Sequence, residues 1–422
     1  MKRIQKGACA WVLAALAPVA LAQAGSQDAL LDFMYARFAA VFTQPKGGAG
    51  PREFLILASP GIGVDQADLV TPSYAVSMLL DQVPEPARAY HPTGVKVSKV
   101  YGRILDAAAI TRYQDPSTRG AALAAKAILF DSARPGQPTE AYAAFLNFQM
   151  EYQAAQDARR VALAESRATG TPLPTGLDQA VDTARKRWER LGHRQAIQEA
   201  LDALQAAYAG NALALMRNFR ADFLHAHLRG GASHDWLPVT TYPPEEQWTT
   251  GTGWHPMTFR QDDPLAPSAG DAGPLPALGK AAKTAAPWTP GMTLSVEVKR
   301  VQVTRPWMDP SLFSAHTWAL RESAGFTLVS SGNPVDRDPG IMPILVTGLL
   351  LARKLTLTGY PGSGADRLGP FDLGGGQGRP AMARHMTRTP AGTVITVPDL
   401  QIVAFFCQVV PQSPTPDPRF FR

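Results

Sequence analysis

Apolar residues recur at three- and four-residue steps through the first half of the chain and at two-residue steps through the last third. The first spacing lines one face of a helix, the second one face of a strand. Leu30, Met34, Phe38 and Val41 predict a helix that Ser26 caps. Thr71-Pro72 and Asp115-Pro116 read as a cap followed by proline at the first helical position, ahead of "SYAVSMLLDQV" and "STRGAALAAKAILFDSA". Ser98 opens a further helix, "SKVYGRILDAAAI". Between the first two, "REFLILASPGIG" is too short for periodicity to separate a strand from a buried helical turn.

Two longer helices follow. Phe145, Phe148, Tyr152 and Ala155 mark one from Thr139 to about Ala168, ended by Gly170 and Pro172. Thr175 to Asp178 resembles a capping box, and Leu177, Val181, Ala184, Trp188 and Leu191 continue the stripe behind it. The stripe breaks at Gly192 and resumes at Ile197, Leu201, Leu204 and Tyr208 out of heptad phase. That predicts an antiparallel bundle with a local adjustment at Gly192, not a long coiled coil. A last helix carries Met216, Phe219 and Phe223 and stops at Gly230-Gly231.

Residues 231–290 change character: proline and glycine become frequent, and Trp236, Trp248, Trp254 and Trp288 make up half of the chain's eight tryptophans. From Gly291 the alternation is that of strands. Leu294, Val296 and Val298 share one parity and Val301 and Val303 the other, which predicts a β-bulge at Lys299-Arg300. "HTWAL", "FTLVS", "ILVTGLLL", "KLTLTG", "TVITV" and "LQIVAFFCQVV" are further strands. Ile341–Ala352 is uncharged throughout. Its consecutive apolar residues predict a strand covered on both faces rather than a membrane strand, which alternates apolar and polar.

The first 22 residues have the form of a cleaved signal peptide: Lys2, Arg3 and Lys6, an apolar run, then Ala20-Leu21-Ala22. Cleavage near Gln23 implies export to the periplasm or beyond. It also lowers the 41 basic residues to 38 against 35 acidic, so the high isoelectric point gives no reason to expect a nucleic-acid partner. Cys407 is then the single cysteine, which rules out an internal disulfide, and its apolar neighbours make it a small core residue.

Catalytic signatures are scarce. Ser59 and Ser363 sit among glycines without the Gly-x-Ser-x-Gly pattern. "GYPGSGAD" and "DLGGGQGRP" match neither a phosphate-binding loop nor a dinucleotide fingerprint, and read as a loop able to close over a ligand. Asp222, His225, His227, His234 and Asp235 are the one metal-like cluster, but His225 and His227 point to opposite sides of a helix, so no metal or other cofactor is assigned. Glu245-Glu246 is the one adjacent carboxylate pair considered for acid–base work, and a solvated loop is its simpler reading. Arg305 can stack on Trp307 or pair with Asp309.

The resulting expectation is a segregated α+β fold: leader 1–22, an elongated helical bundle over 23–230, a Pro/Gly/Trp-rich connector over 231–290, and an antiparallel β-sandwich-like domain over 291–422. The expected function is that of an exported, non-enzymatic binding protein for a protein or glycan ligand, with no integral membrane span at rest. Trp236, Trp248, Trp254, Gly374, Gly375 and Gly376 are its candidate ligand-binding residues. The alternatives are a pore-forming toxin-like protein and a secreted hydrolase whose site is assembled from distant residues.

Overall fold

A computed structural model describes residues 30–31, 33–43, 53–110, 116–133, 137–210, 212–229, 235–260, 275, 288–362, 367–373 and 383–416. Their organising element is a single long strand, β11 (Ile344–Tyr360).

Helix α1 comprises 30–31 and 33–42. Strand β1 (Glu53–Gly63), helix α2 (Tyr74–Leu80), strands β2 (Gln82–Pro84) and β3 (Pro92–Lys96), helix α3 (Val97–Ala107) and strand β4 (Ala108–Ile110) follow. Helices α4 (Pro116–Leu129), α5 (Glu140–Thr169), α6 (Leu177–Arg190), α7 (Arg194–Gly210) and α8 (Ala212–His225) come next. After them come β5 (Leu228–Arg229), β6 (Asp235–Trp236), β7 (Thr240–Tyr242), β8 (His255–Arg260), β9 (Thr293–Thr304) and β10 (Trp318–Leu320). The chain closes with β11 (Ile344–Tyr360), β12 (Arg367–Leu368), β13 (Phe371–Asp372), β14 (His385–Thr389), β15 (Gly392–Val397) and β16 (Gln401–Val409).

The fold is α+β, with helices interleaved among the strands. One eight-stranded sheet, in which every pairing is antiparallel, contains β1, β7, β8, β9, β11, β14, β15 and β16. β11 is 17 residues long and lies between β9 on one side and β16 followed by β15 on the other. The remaining strands form two-stranded ribbons. The expected order of a bundle and then a sandwich is not what the described residues show. β1, from the helical half of the sequence, pairs with β16, and the face of this sheet under α1 is covered by α1, part of α5 and the small β12–β13 ribbon. The physical reason is that β1 buries both of its faces, so it needs a sheet neighbour and cover on each side.

Ile341–Ala352 lies in and just before this central strand. Met342 and Leu345 pack with the helices α3 to α8, and the other apolar residues of the strand split between the cores on the two faces of the sheet. Leu350 and Ala352 face α1, Phe38 and Phe42 among its residues, together with Val161 of α5. Ile344, Val346, Leu349 and Leu351 face α2 and Trp248. The change of parity between Val346 and Leu349 is made by a bulge at Thr347, where the register with β16 slips. A second slip, against β9 and around Lys354 (φ 51°), puts Leu355 and Leu357 on the α1 side as well. "KLTLTG" is therefore the continuation of β11, not a separate strand.

The bulge expected at Lys299-Arg300 does not form. Pairing of β9 with β11 runs unbroken from Val298 to Gln302. The change of parity is real but has another cause: Leu294, Val296 and Val298 belong to the core under α1, and Val301 and Val303 to the core on the opposite face. The strand stays regular while its apolar residues change sides. Lys299 and Arg300 mark the crossing point, and each places a charge where its own face stops being apolar.

A third core joins α3, α4, α5, α6, α7 and α8 to the segment 307–345, so residues on both sides of the connector pack together. Trp307 is at its centre, 1% exposed, with Nε1 donating to Pro238 O at 2.9 Å and Tyr101 and Phe223 against its ring. Arg305 neither stacks on Trp307 nor pairs with Asp309. It donates to the main-chain carbonyls of Val346 and Leu80, each at 2.7 Å.

The helix boundaries hold where caps satisfy the chain ends. Thr139 caps α5 by accepting from Tyr142 N, and Gly170 ends it at φ 68°. Elsewhere they shift. Ser73, not Thr71, caps α2. Gly176 precedes α6, with no side-chain cap from Thr175. α3 begins one residue before Ser98, whose N–H and hydroxyl both donate to Asp81 at the end of α2. Leu191 is 52% exposed, because α6 ends before it and the turn through Gly192 aims it outward. "FTLVS" forms no strand beyond a bridge from Ser330 to Ser413.

Candidate functional site

The chain leaves the sheet edge between β7 and β8, and residues 243–254 cross it as a loop. Loop carbonyls need donors. Here the donors are cations from the sheet. Lys299 Nζ donates to Gln247 O at 3.1 Å and approaches Thr250 O at 3.5 Å. Arg353, opposite Glu297 in the β9–β11 register, donates through Nη1 to Thr249 O and through Nε to Glu297 at 2.7 Å. Its guanidinium lies 4.0 Å over the Trp254 ring, and Lys299 lies 5.7 Å from the same ring. Lys299 is 4% exposed, and burial, reinforced by the charge of Arg353, pushes its ammonium down to about 8. Trp248 pins the loop from beneath: it is fully buried and donates from Nε1 to Pro243 O at 3.1 Å.

The carboxylate pair lies at the other end of the loop. Glu245 and Glu246 occupy a 3₁₀ turn, Glu245–Gln247, and both reach Thr71 in the segment ahead of α2. Thr71 Oγ1 is 2.6 Å from Glu245 Oε2 and 2.5 Å from Glu246 Oε2, and Thr71 N–H donates to Glu246 Oε1 at 2.7 Å. Glu245 is fully buried and its Oε1 has no hydrogen-bond partner. Burial raises its carboxyl above the ordinary glutamate value. Glu246 is exposed, and the Thr71 hydroxyl holds its carboxyl below that value.

Next to this pair, three residues beyond Thr71, Tyr74 is 54% exposed and meets Trp236 edge-on at 5.4 Å. Tyr74 offers an accessible aromatic ring, and Thr71, three residues before it in the chain, holds the exposed Glu246 carboxylate. These are groups that stack on and hydrogen-bond to a polyhydroxylated ligand.

The anticipated residues divide. Trp236 is 9% exposed and supports Tyr74. Trp248 is a core anchor and presents no face outward, which corrects its assignment as a ligand contact. Trp254 is half-buried, and Arg353 covers its ring. Gly374, Gly375 and Gly376 lie outside the described residues, as do Ser363 and His234. Ser59 is in β1. Asp222 pairs with Lys126 at 3.5 Å, His225 Nδ1 lies 2.6 Å from Ala221 O, and His227 meets the Phe223 ring. Among the described residues no three metal-ligating side chains converge. Cys407 is fully buried, and burial raises its thiol far above the usual range, the opposite of an activated nucleophile.

Thr71, Tyr74, Lys299 and Arg353 were not anticipated. Lys299 and Arg353 had a signal, since each is a charge on an inward parity of an otherwise apolar strand. Thr71 and Tyr74 had none, because their partners lie about 170 residues away. An open groove on α6, lined by Gly176, Gln179, Ala180, Thr183, Ala184 and Arg187, lies apart from all of these groups. No protein-family model, curated protein or solved structure matches the chain.

Proposed function

We propose that the chain is an exported, non-enzymatic binding protein and that its ligand is a glycan held at Tyr74, Trp236 and Glu246. The observation that carries this is the exposed Tyr74 ring, braced by Trp236 and set beside a carboxylate that Thr71 fixes in place. A rigid aromatic costs little conformational entropy when it stacks on a sugar ring, and an oriented carboxylate accepts from sugar hydroxyls. Loops held on a rigid scaffold commonly carry binding function.

The hydrolase reading has less support. Glu245 and Glu246 are close enough to form a carboxyl pair, but Glu245 is sealed from solvent and Thr71 stands between the two. A general acid must reach the bond it protonates. For the membrane-active reading, no helix among the described residues is long and apolar enough to cross a bilayer. The apolar run of β11 is covered on both faces.

The test is calorimetric titration of the mature protein with neutral and amino-sugar oligosaccharides. Binding that Tyr74→Ala reduces at least about tenfold, with unchanged melting, supports the reading. Oligosaccharides that fail to bind, or that bind the variant equally, overturn it. Export has its own test: N-terminal sequencing of the protein from the medium or periplasm should begin near Gln23.

A further inference from the structure

We propose that Glu245, Thr71 and Glu246 form a proton-sharing latch, which ties the segment ahead of α2 to the 245–247 turn and loosens when Glu245 gives up its proton. The argument is one of counting protons. The Thr71 hydroxyl touches two carboxyl groups, at 2.6 and 2.5 Å, both short enough for hydrogen bonds between oxygens. A threonine hydroxyl carries one proton and so donates to one of them. The other contact is attractive only if that carboxyl brings a proton of its own and the hydroxyl accepts it.

Position decides which carboxyl is protonated. Glu246 is exposed to water and also accepts the Thr71 N–H at 2.7 Å, so it is stable as an anion. Glu245 is fully buried against the core that holds Trp248, and its Oε1 is unpartnered. An unpaired carboxylate there would be strongly disfavoured. The Glu245 main-chain N–H and the Thr241 hydroxyl of β7 also favour the Glu245 anion, but burial outweighs them, and the Thr241 proton is committed to Pro243 O at 2.9 Å. Lys299, the cation that β9 brings to this turn, is held by the Gln247 and Thr250 carbonyls. On the 3₁₀ turn beside α2, Asp65 caps Ala67 N. The charge that acts on Glu245 is Glu246, and it opposes ionisation. The relay therefore runs from Glu245 O–H to Thr71 Oγ1, and from Thr71 O–H to Glu246.

The two carboxyls respond to pH with opposite signs. Glu245, raised in the folded state, contributes fully below the ordinary glutamate value of 4.5 and loses its contribution as pH rises through its folded value. Glu246, lowered, contributes above 4.5 and loses its contribution as pH falls through its folded value. The latch is tightest between the two, in mildly acid solution. Above that window two anions share one hydroxyl proton, and the Thr71 segment loses its hold. The latch does not depend on the sugar-binding reading.

The experiment follows carboxyl-carbon shifts of Glu245 and Glu246 and amide exchange of the mature protein from about pH 4 to pH 8. Glu245 is expected to titrate above Glu246, and protection of the Thr71 N–H to fall by about tenfold or more as it does, while β16 amides stay unchanged. Glu245→Gln, whose amide N–H can donate to Thr71 in place of the acid proton, should keep Thr71 protected throughout. If that variant does not fold, the wild-type titration alone decides. Glu245 titrating together with or below Glu246, or protection independent of pH, overturns the proposal. A gain of Thr71 protection on adding calcium chloride at neutral pH also overturns it, since a cation would then be bridging the pair.

Discussion

Arg300 on β9 reaches Glu53 on β1 across the two strands that separate them, and both carboxylate oxygens lie 2.7 Å from its Nη2. On the way its guanidinium lies 4.2 Å over Phe406 of β16, and Nη1 donates to Phe42 O at the end of α1. One side chain thus joins the end of α1, an outer strand and the sheet interior. Both partners are 15% exposed, so removing one leaves a charge poorly solvated. Arg300→Ala should cost about 3 kcal/mol, and Glu53→Gln in the same chain should return part of it. Urea unfolding of the four members of the cycle checks this, and a loss below about 1 kcal/mol would make the pair peripheral.

Trp307→Ala should destabilise by about 3–5 kcal/mol, since it empties the centre of the helical core and orphans the Pro238 carbonyl. Chemical denaturation measures it. An alanine variant as stable as the wild type would show that the ring is not an anchor.

Gly348 sits where β11 passes close to two neighbouring strands. A Cβ there would lie 2.8 Å from Val301 O and 3.2 Å from the Phe406 ring, and a paired strand carbonyl moves only at the cost of the sheet. Gly348→Ala should therefore cost about 1–3 kcal/mol. Leu350→Asp, at a fully buried position on the same strand, should prevent folding altogether. Circular dichroism and thermal melting of the two variants decide both points. A Leu350→Asp protein that melts like the wild type would contradict burial of this strand.

Lys299 predicts a rise of stability with pH. Its folded value, about 8, lies below its ordinary 10.5, so between these pH values the unfolded chain binds the extra proton. Stability then increases as pH rises through 8 towards 10.5, by an amount on the order of 1–3 kcal/mol. Tyr35, Tyr90 and Tyr242, pushed from 10.0 up to about 12, oppose this from pH 10.0 upward. The measurement is the difference between wild type and Lys299→Met in urea, from about pH 7.5 to pH 9.5. Parallel curves for the two proteins would sink the prediction.

A protease cut between Ser268 and Ala286, in the stretch richest in small residues, should leave one particle. β1 pairs with β16, and α1 packs in the same core as β9 and β11. The nicked chain is expected to elute as a single species in native size exclusion and to separate only in denaturant. Fragments that part under native conditions would show two independent bodies.

Much of the local structure was legible in the residues themselves. Thr139 and Gly170 mark the ends of α5 because capping is a contact between near neighbours. The burial of β11 on both faces was legible because an apolar run without alternation has nowhere else to go. Cys407 was recognisable as a core residue from its neighbours alone. What the tertiary structure decided was everything that depends on partners distant in sequence. The strand "REFLILASPGIG" is ambiguous until β16 supplies its ladder, and that pairing is what sets helices among strands instead of before them. The parity change at Lys299-Arg300 looks like a bulge along the chain, whereas only two separate cores, one on each face of β9, show it to be a regular strand. The same holds for the candidate site. An adjacent Glu-Glu pair reads as solvated loop, because the hydroxyl that draws the two carboxyls together, on Thr71, comes from the far side of the helical half of the chain. Short-range periodicity records which faces must be buried, but contacts across more than a hundred residues are chosen by the packing of the whole fold, and they alone place charges where their protons become shared.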